Sequence, residues 1–220
     1  MTVSTAAAVK VTPAPERQRD AGRSQAAILV AARDEFAEMG LDGARMEGIA
    51  TRAAVNKRLI YYYFRDKDQL FQAVLEKAYQ HIRNAEQKLN LLNLPPPEAV
   101  RKLVEFTWNY CMKHPEFQSL LTSANLHKAR HLRQSRAREL NSPVIDTLGR
   151  ILEQGRSEGL FRGGIDPTQL YISIAALTFF YRSNNDTLSA IFGRHLLSPK
   201  AKQERLAHMC DLILGYVMRD

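Results

Sequence analysis

Apolar residues recur at three-to-four-residue spacing in one segment after another, and that period predicts helices. Ile28, Leu29, Ala32, Phe36 and Met39 form the first such stripe, and Gly40 follows where a helix usually stops. After Leu41-Asp42-Gly43 a short stretch carries Ile49, Ala50 and Ala53, breaks at Ala54-Val55, and restarts behind Asn56, a good N-cap residue. Phe64 closes that second short helix. Asp66-Lys67-Asp68 then opens a long one whose inward face reads Leu70, Phe71, Val74, Leu75, Ala78 and Ile82. Asn93-Leu94-Pro95-Pro96-Pro97 cannot continue a helix, because successive prolines remove donors and clash with the preceding turn. Beyond this linker the pattern predicts helices at about 97–113, 116–136, 142–159, 167–184 and 199–218, punctuated by Pro115, Pro143, Gly159, Gly163-Gly164, Pro167 and Pro199. Strand-like alternation of useful length and internal repeats are both missing, so the predicted fold class is all-α.

Composition narrows the class. With 220 residues, 45% hydrophobic and 25% charged, the chain has the balance of an ordinary folded, soluble protein. No run approaches the ~18 to 20 apolar residues that cross a bilayer. Ala6-Ala7-Ala8-Val9 is too short for a signal-peptide core, so residues 1–23 read as a flexible tail and the protein is expected in the cytoplasm, on the nucleoid when bound to DNA. Its Lys10, Arg17, Arg19 and Arg23 either lie in solvent or reach a minor groove. Cys111 and Cys210 lack partners at metal spacing and read as core thiols; no metal and no cofactor is expected. The net charge of +8 favours an anionic partner, nucleic acid first. Yet residues 1–80 carry only 12 Lys or Arg against 10 Asp or Glu, and the rest carry 19 against 13. Charge alone therefore points to the wrong half of the chain.

The chemistry lies between Leu41 and Lys67. Two short helices across a tight turn, packed on a preceding helix, form a helix-turn-helix whose second helix can enter a major groove. In Asn56-Lys57-Arg58-Leu59-Ile60-Tyr61-Tyr62-Tyr63-Phe64, Ile60 and Phe64 lie one turn apart and face inward with Val55. Lys57, Arg58, Tyr61 and Tyr62 are left to face outward. Arg58 or Lys57 can donate to guanine O6 and N7, while tyrosine hydroxyls and Lys67 suit phosphate oxygens. An aromatic core edge is the competing reading of Tyr61-Tyr62-Tyr63, but three adjacent phenols on a helix cannot all point inward.

Gly40-Leu41-Asp42-Gly43, Ile49-Ala50, Ala53-Ala54-Val55-Asn56-Lys57, Tyr61-Tyr62-Tyr63-Phe64, Lys67 and Leu70 together resemble the N-terminal signature of TetR-family regulators. The resemblance covers about residues 24–75. It implies base-facing roles for Lys57, Arg58 and Tyr62, and backbone-facing roles for Tyr61, Tyr63 and Lys67. Three positions depart from the pattern. Ala44 stands where the family usually has Thr, which removes a helix-start phosphate contact that Arg45 can supply instead. Ala54 replaces a turn Gly, at roughly 1 kcal/mol if that position is left-handed. Asn56 replaces an N-cap Ser harmlessly. The resemblance further implies a DNA-binding domain at 24–70, a ligand-binding and dimerisation domain at 71–220, a palindromic operator, a homodimer and a small-molecule effector that releases a repressor from DNA. An activator of the same fold and an architectural DNA binder are the alternatives.

In the larger part, Leu170, Ile174, Leu177 and Tyr181 form one stripe and Leu206, Met209, Ile213, Tyr216 and Val217 another. Each serves an intrachain core or, as the resemblance implies, a four-helix dimer interface. Phe106, Trp108, Tyr110, Phe117 and Leu121 crowd the helices after the linker, with Phe179 and Phe180 farther on, as either pure core or the wall of a pocket for a flat ligand. The run from His127 to Arg138 holds five fixed cations and no acid. It reads as a solvated face, as a zinc pair at His127 and His131 that nearby cations would repel, or as a clamp in which Arg130 with His127 or Arg133 pairs a ligand carboxylate. The segments His114-Pro115-Glu116-Phe117 and Leu188 to Arg194 resemble a subgroup of catabolic repressors for small ring acids and pyrimidines, including nicotinate-type pathways. The carboxylate clamp beside these aromatic residues makes an aromatic or heteroaromatic acid the effector class considered; the subgroup resemblance itself names no effector. No phosphate loop, nucleophile elbow, paired-carboxylate context or His/Cys metal set suggests an enzyme.

Overall fold

The helical period is realised as eleven α-helices in a computed structural model whose described residues are 16–133 and 137–219. They are α1 (Glu16–Gly43), α2 (Met46–Arg52), α3 (Lys57–Phe64), α4 (Lys67–Gln87), α5 (Pro96–Lys113), α6 (Pro115–Leu126), α7 (Arg130–Arg133), α8 (Ala137–Ser157), α9 (Pro167–Ser183), α10 (Asn185–Phe192) and α11 (Pro199–Val217), with a 3-10 turn at Leu91–Asn93 between α4 and α5. A lone bridge between Phe161 and Met218 is the extended pairing among the described residues.

Local chemistry explains most boundaries. Asn56, Asp66, Asp166 and Ser198 each accept a hydrogen bond from a first-turn amide of the helix that follows. Pro96, Pro115, Pro167 and Pro199 occupy first turns, where a missing N–H costs nothing. Three expectations change. α1 reaches back to Glu16, into the segment read as tail, while residues 1–15 lie outside the described residues. The helix expected over 116–136 breaks after Leu126, because Lys128 and Ala129 both take left-handed backbone, at φ 55° and 54°. α10 has no buried residue and therefore no inward stripe to announce it.

Two larger cores result, joined by a smaller one. The first gathers Ile28, Phe36, Ile49, Ile60, Phe64, Leu70, Phe71 and Leu75, and α6 adds Leu120 and Ala124. Phe36 and Phe71 meet edge-to-face at 4.9 Å. The second surrounds Trp108 with residues of α5, α8, α9 and α11. Ile82, Tyr110 and Phe117 form the third. α4 feeds the first core from its N-terminal half and the third from its C-terminal half. Within the second core Leu170, Ile174, Met209, Ile213 and Val217 are buried inside the single chain, so most of the two stripes offered for dimerisation belong to the interior. Exposed apolar residues lie on other faces of the same helices, at Ile172 and Phe180 of α9 and Leu212 and Tyr216 of α11, and on α10 at Ile191 and Phe192.

Backbone geometry singles out two positions. Ala54, in the turn between α2 and α3, is left-handed with φ 52°. A side chain there is strained, so Ala54→Gly is expected to stabilise the protein by up to about 1 kcal/mol, a gain of a few degrees in midpoint that thermal unfolding will register. Gly155 of α8 faces Phe161, and a Cβ at that position would lie 2.1 Å from a ring carbon.

Candidate functional site

α3 is held to the protein by one face. Ile60 and Phe64 are buried in the first core, and Val55, Leu59 and Tyr63 are half-buried against it. The opposite face is open: Arg58 is exposed, Tyr61 is 40% exposed and Tyr62 is 79% exposed. The Tyr62 and Tyr63 rings meet edge-to-face at 5.2 Å, which braces an otherwise free phenol. Asn56 Oδ1 accepts the Leu59 amide at 2.9 Å and fixes the start of the helix.

Lys57 is not free. Its amine is bonded to Glu47 of α2 and stands 5.7 Å from the Tyr61 ring centre. That hydrogen bond holds the Glu47 carboxyl below its usual range. Lys67 is likewise engaged, donating to the carbonyls of Asp42 and Ala44, each at 3.3 Å, so it ties the start of α4 to the end of α1. Arg45 is exposed at the start of α2, and its backbone N–H donates to Glu35 Oε1 at 3.2 Å.

Sequence reasoning missed the device that orients α2. The buried Glu35 of α1 also accepts Arg52 Nε at 3.0 Å, and Arg52 reaches Glu38 at 2.5 Å. Gly48 leaves room for it, since a Cβ there would lie 2.7 Å from Glu35 Oε1. These partners sit on separate helices, so no spacing rule along one helix could join them.

A cavity of about 470 Å3 lies between α1, α4 and the α5–α6 junction. Tyr110 and Phe117 line it with Leu29, Val74, Ala78 and Leu120, and Arg33, Lys77, His81 and His114 add polar atoms. His81 Nδ1 and the Tyr110 hydroxyl are 2.7 Å apart. Burial, then the neighbouring His114, pushes the His81 imidazole down from its usual value. Phe106 and Leu121 pack behind these rings in the third core. Phe179 stands half-buried on α9, and its carbonyl accepts Gln118 Nε2 of α6 at 2.8 Å.

His127 and Arg130 are not brought to this cavity. The break after Leu126 turns the basic run back onto the end of α1 and the start of α4. His127 Nε2 lies 3.5 Å from Asp42, and Arg130, 59% exposed along its side chain, pairs with Asp68 at 3.0 Å. The buried His131 also meets Asp68, at 2.8 Å, and lies edge-on to Phe71 at 5.1 Å. Hydrogen bonding from His131, with Arg130 beside it, holds Asp68 below the usual carboxylate range. The carboxylate clamp is thereby replaced by interhelix ion pairs, and the two histidines that suggested zinc each face an aspartate. Gln134, Ser135 and Arg136 of the run lie outside the described residues.

A polar centre lies deeper. Arg83 and Glu86, one turn apart on α4, are paired with side chains only 6% exposed, and Arg83 Nη2 donates to the Tyr171 hydroxyl of α9 at 2.5 Å. Burial pushes the Glu86 carboxyl up to about 7 despite the guanidinium beside it. Neither residue was singled out from the sequence; it is the burial of this part of α4 that reveals the pair.

Comparison with known proteins agrees with this arrangement. Residues 28–74 match the description "Bacterial regulatory proteins, tetR family", and residues 96–213 match "Tetracyclin repressor-like, C-terminal domain". The chain is 42% identical over 204 residues to the HTH-type transcriptional repressor NicS of Pseudomonas putida, covering 92% of this chain and 96% of that protein. To the HTH-type transcriptional regulator RutR of Escherichia coli O157:H7 it is 30% identical over 192 residues, covering 87% and 88%. The crystal structure of a transcriptional regulator from Streptomyces coelicolor superposes with a TM-score of 0.69 at 22% identity, covering 90% of this chain and 99% of that one. With both halves matched and a relative alike over nearly its whole length, the chain belongs to the TetR family of bacterial regulatory proteins.

Proposed function

We propose that this protein is a homodimeric transcriptional repressor that grips a palindromic operator with α3 and is released by a small-molecule effector. The observation that carries the reading is the division of α3: Ile60 and Phe64 anchor one face while Arg58 and Tyr62 project from the other. Arg58 is the base-reading donor. Tyr62 reads a base edge or methyl group, and Tyr61, Tyr63 and Arg45 contact phosphates. Lys57 joins them once phosphate or base draws it from Glu47. Lys67 contributes a cation near the backbone while holding the end of α1.

A dimer sets two such helices ~34 to 36 Å apart, one duplex turn. The exposed faces of α9 and α11, with Ile172, Phe180, Leu212 and Tyr216, supply the apolar surface for it. Response to an effector needs a physical connection between the domains. α4 belongs to both, and Leu41 N–H donates to Ser123 Oγ of α6 at 2.9 Å beside the kink at Gly40. Its family and relatives are transcriptional regulators, and the protein acts by binding and not as an enzyme.

Linkage makes the reading testable. An effector can release DNA only by as much as it prefers the geometry that does not bind DNA, so its own affinity falls when operator is present. Footprinting of the chain's own upstream region is expected to reveal a discrete palindrome, and calorimetry a weaker effector isotherm with operator than without. Uniform protection, or equal effector affinity in both conditions, contradicts it.

A further inference from the structure

Arg83 and Glu86 satisfy each other only in part. Arg83 Nη1 donates to Glu86 Oε2 and Nη2 to the Tyr171 hydroxyl, but Arg83 Nε and Glu86 Oε1 are buried without a hydrogen-bond partner among the described residues. A buried donor or acceptor left unmade costs about 1 to 3 kcal/mol, and more when charged. A pair retained for packing alone would be replaced by apolar side chains at little loss. Both residues line a cavity of about 270 Å3 between α4, the Leu91–Asn93 turn and α8, with Leu91, Leu92 and Val144 as apolar walls. That volume falls just under the ~300 to 1,000 Å3 of sites for drug-sized ligands and suits a single ring.

The two unmet atoms differ in kind. Nε–H wants an acceptor; Oε1 wants a donor. We propose that Arg83 and Glu86 are the recognition centre of the effector site, and that they select a small ring with a cyclic amide edge, its carbonyl meeting Arg83 Nε–H and its adjacent N–H meeting Glu86 Oε1. The inference rests on the reading of the protein as effector-responsive and narrows its ligand from ring acids to ring amides. A carboxylate presents two acceptors, and one of them would confront Glu86. It enters only with Glu86 protonated, so its affinity falls as pH rises past about 7, about tenfold per unit.

The test uses the full chain at pH 8 with 2-pyridone, N-methyl-2-pyridone and benzoate as calorimetric probes. Wild type is expected to bind 2-pyridone at millimolar concentration or better, at least about tenfold more tightly than the other two, since each lacks the N–H or sets an oxygen against Glu86. In Glu86→Gln the amide oxygen keeps Arg83 Nη1 and an N–H turns toward the cavity, so benzoate should overtake 2-pyridone. The swap is isosteric, and thermal unfolding checks that the variant is folded. An unchanged ranking in the variant, a preference of wild type for benzoate, or no 2-pyridone binding at millimolar concentration overturns the inference. Operator affinity measured in the same samples separates the two ideas: intact operator binding with failed rankings sinks only this one, whereas the expected rankings with operator binding indifferent to 2-pyridone sink the release mechanism and leave the recognition centre supported.

Discussion

Replacing Arg58 with alanine is expected to weaken operator binding by about 1 to 3 kcal/mol and to flatten base preference at the position it reads, because a bidentate donor to guanine supplies that much discrimination. The side chain is exposed on the open face of α3 and has no part in the first core, so the loss should come without a change in fold. Lys67→Ala provides the contrast. Its amine touches backbone carbonyls of Asp42 and Ala44 and stands near the expected phosphates, so its removal should weaken all sequences alike and make the salt dependence shallower. Anisotropy titrations of both variants against operator, single-base changes and unrelated duplex, at several salt concentrations, decide the matter. If Arg58→Ala loses the same factor on every duplex, the side chain is a phosphate contact and the assignment fails.

Gly155→Ala should cost more stability than a typical surface change in the larger domain. Alanine at a helical glycine ordinarily gains about 1 kcal/mol. Here the new methyl would stand 2.1 Å from Cδ2 and 2.6 Å from two further ring carbons of Phe161. Phe161 is 2% exposed, so its ring has nowhere to retreat without repacking the second core. The segment after it is fixed as well, with Arg162 N–H donating to the Val217 carbonyl at 3.1 Å and Arg219 N–H to the Leu160 carbonyl at 2.9 Å. Overpacking of this sort costs about 1 to 3 kcal/mol and occasionally more, which outweighs the gain in helix propensity. Urea unfolding should show a net loss of about 2 kcal/mol with an unchanged slope; a neutral or stabilised variant would mean that α8 and the Phe161 loop slide apart freely.

Much of this molecule was legible because its local signals agree. The inward pair Ile60 and Phe64, the cap at Asn56 and the first-turn prolines Pro167 and Pro199 are each set within a few residues, and each was readable along the chain, while the left-handed turn at Ala54 was flagged only through the family resemblance. Whatever depends on a distant partner was not. Nothing between Leu126 and Arg130 resembles a helix breaker, since Lys128 and Ala129 take left-handed backbone under tertiary constraint rather than by propensity. That turn alone moved His127 and Arg130 from a supposed ligand site to Asp42 and Asp68. The stripes on α9 and α11 were found, but an apolar stripe does not say whether its partner is the same chain or another copy. Glu86 and Arg83 were invisible for a related reason: sequence places charges on a helix without saying how deeply the helix is sunk.

α4 contains neither glycine nor proline, so it has no internal joint at which to bend. A helix of 21 residues is about 32 Å long, and swivelling such a rod by about 5° about one end sweeps the other through nearly 3 Å. Its far tip is Lys67, clasped to the Asp42 and Ala44 carbonyls where α1 ends. Rigidity itself would then serve as the messenger: in the proposed mechanism, a nudge too small to unseat Glu86 from its neighbours would still shift the reading head by the width of a hydrogen bond.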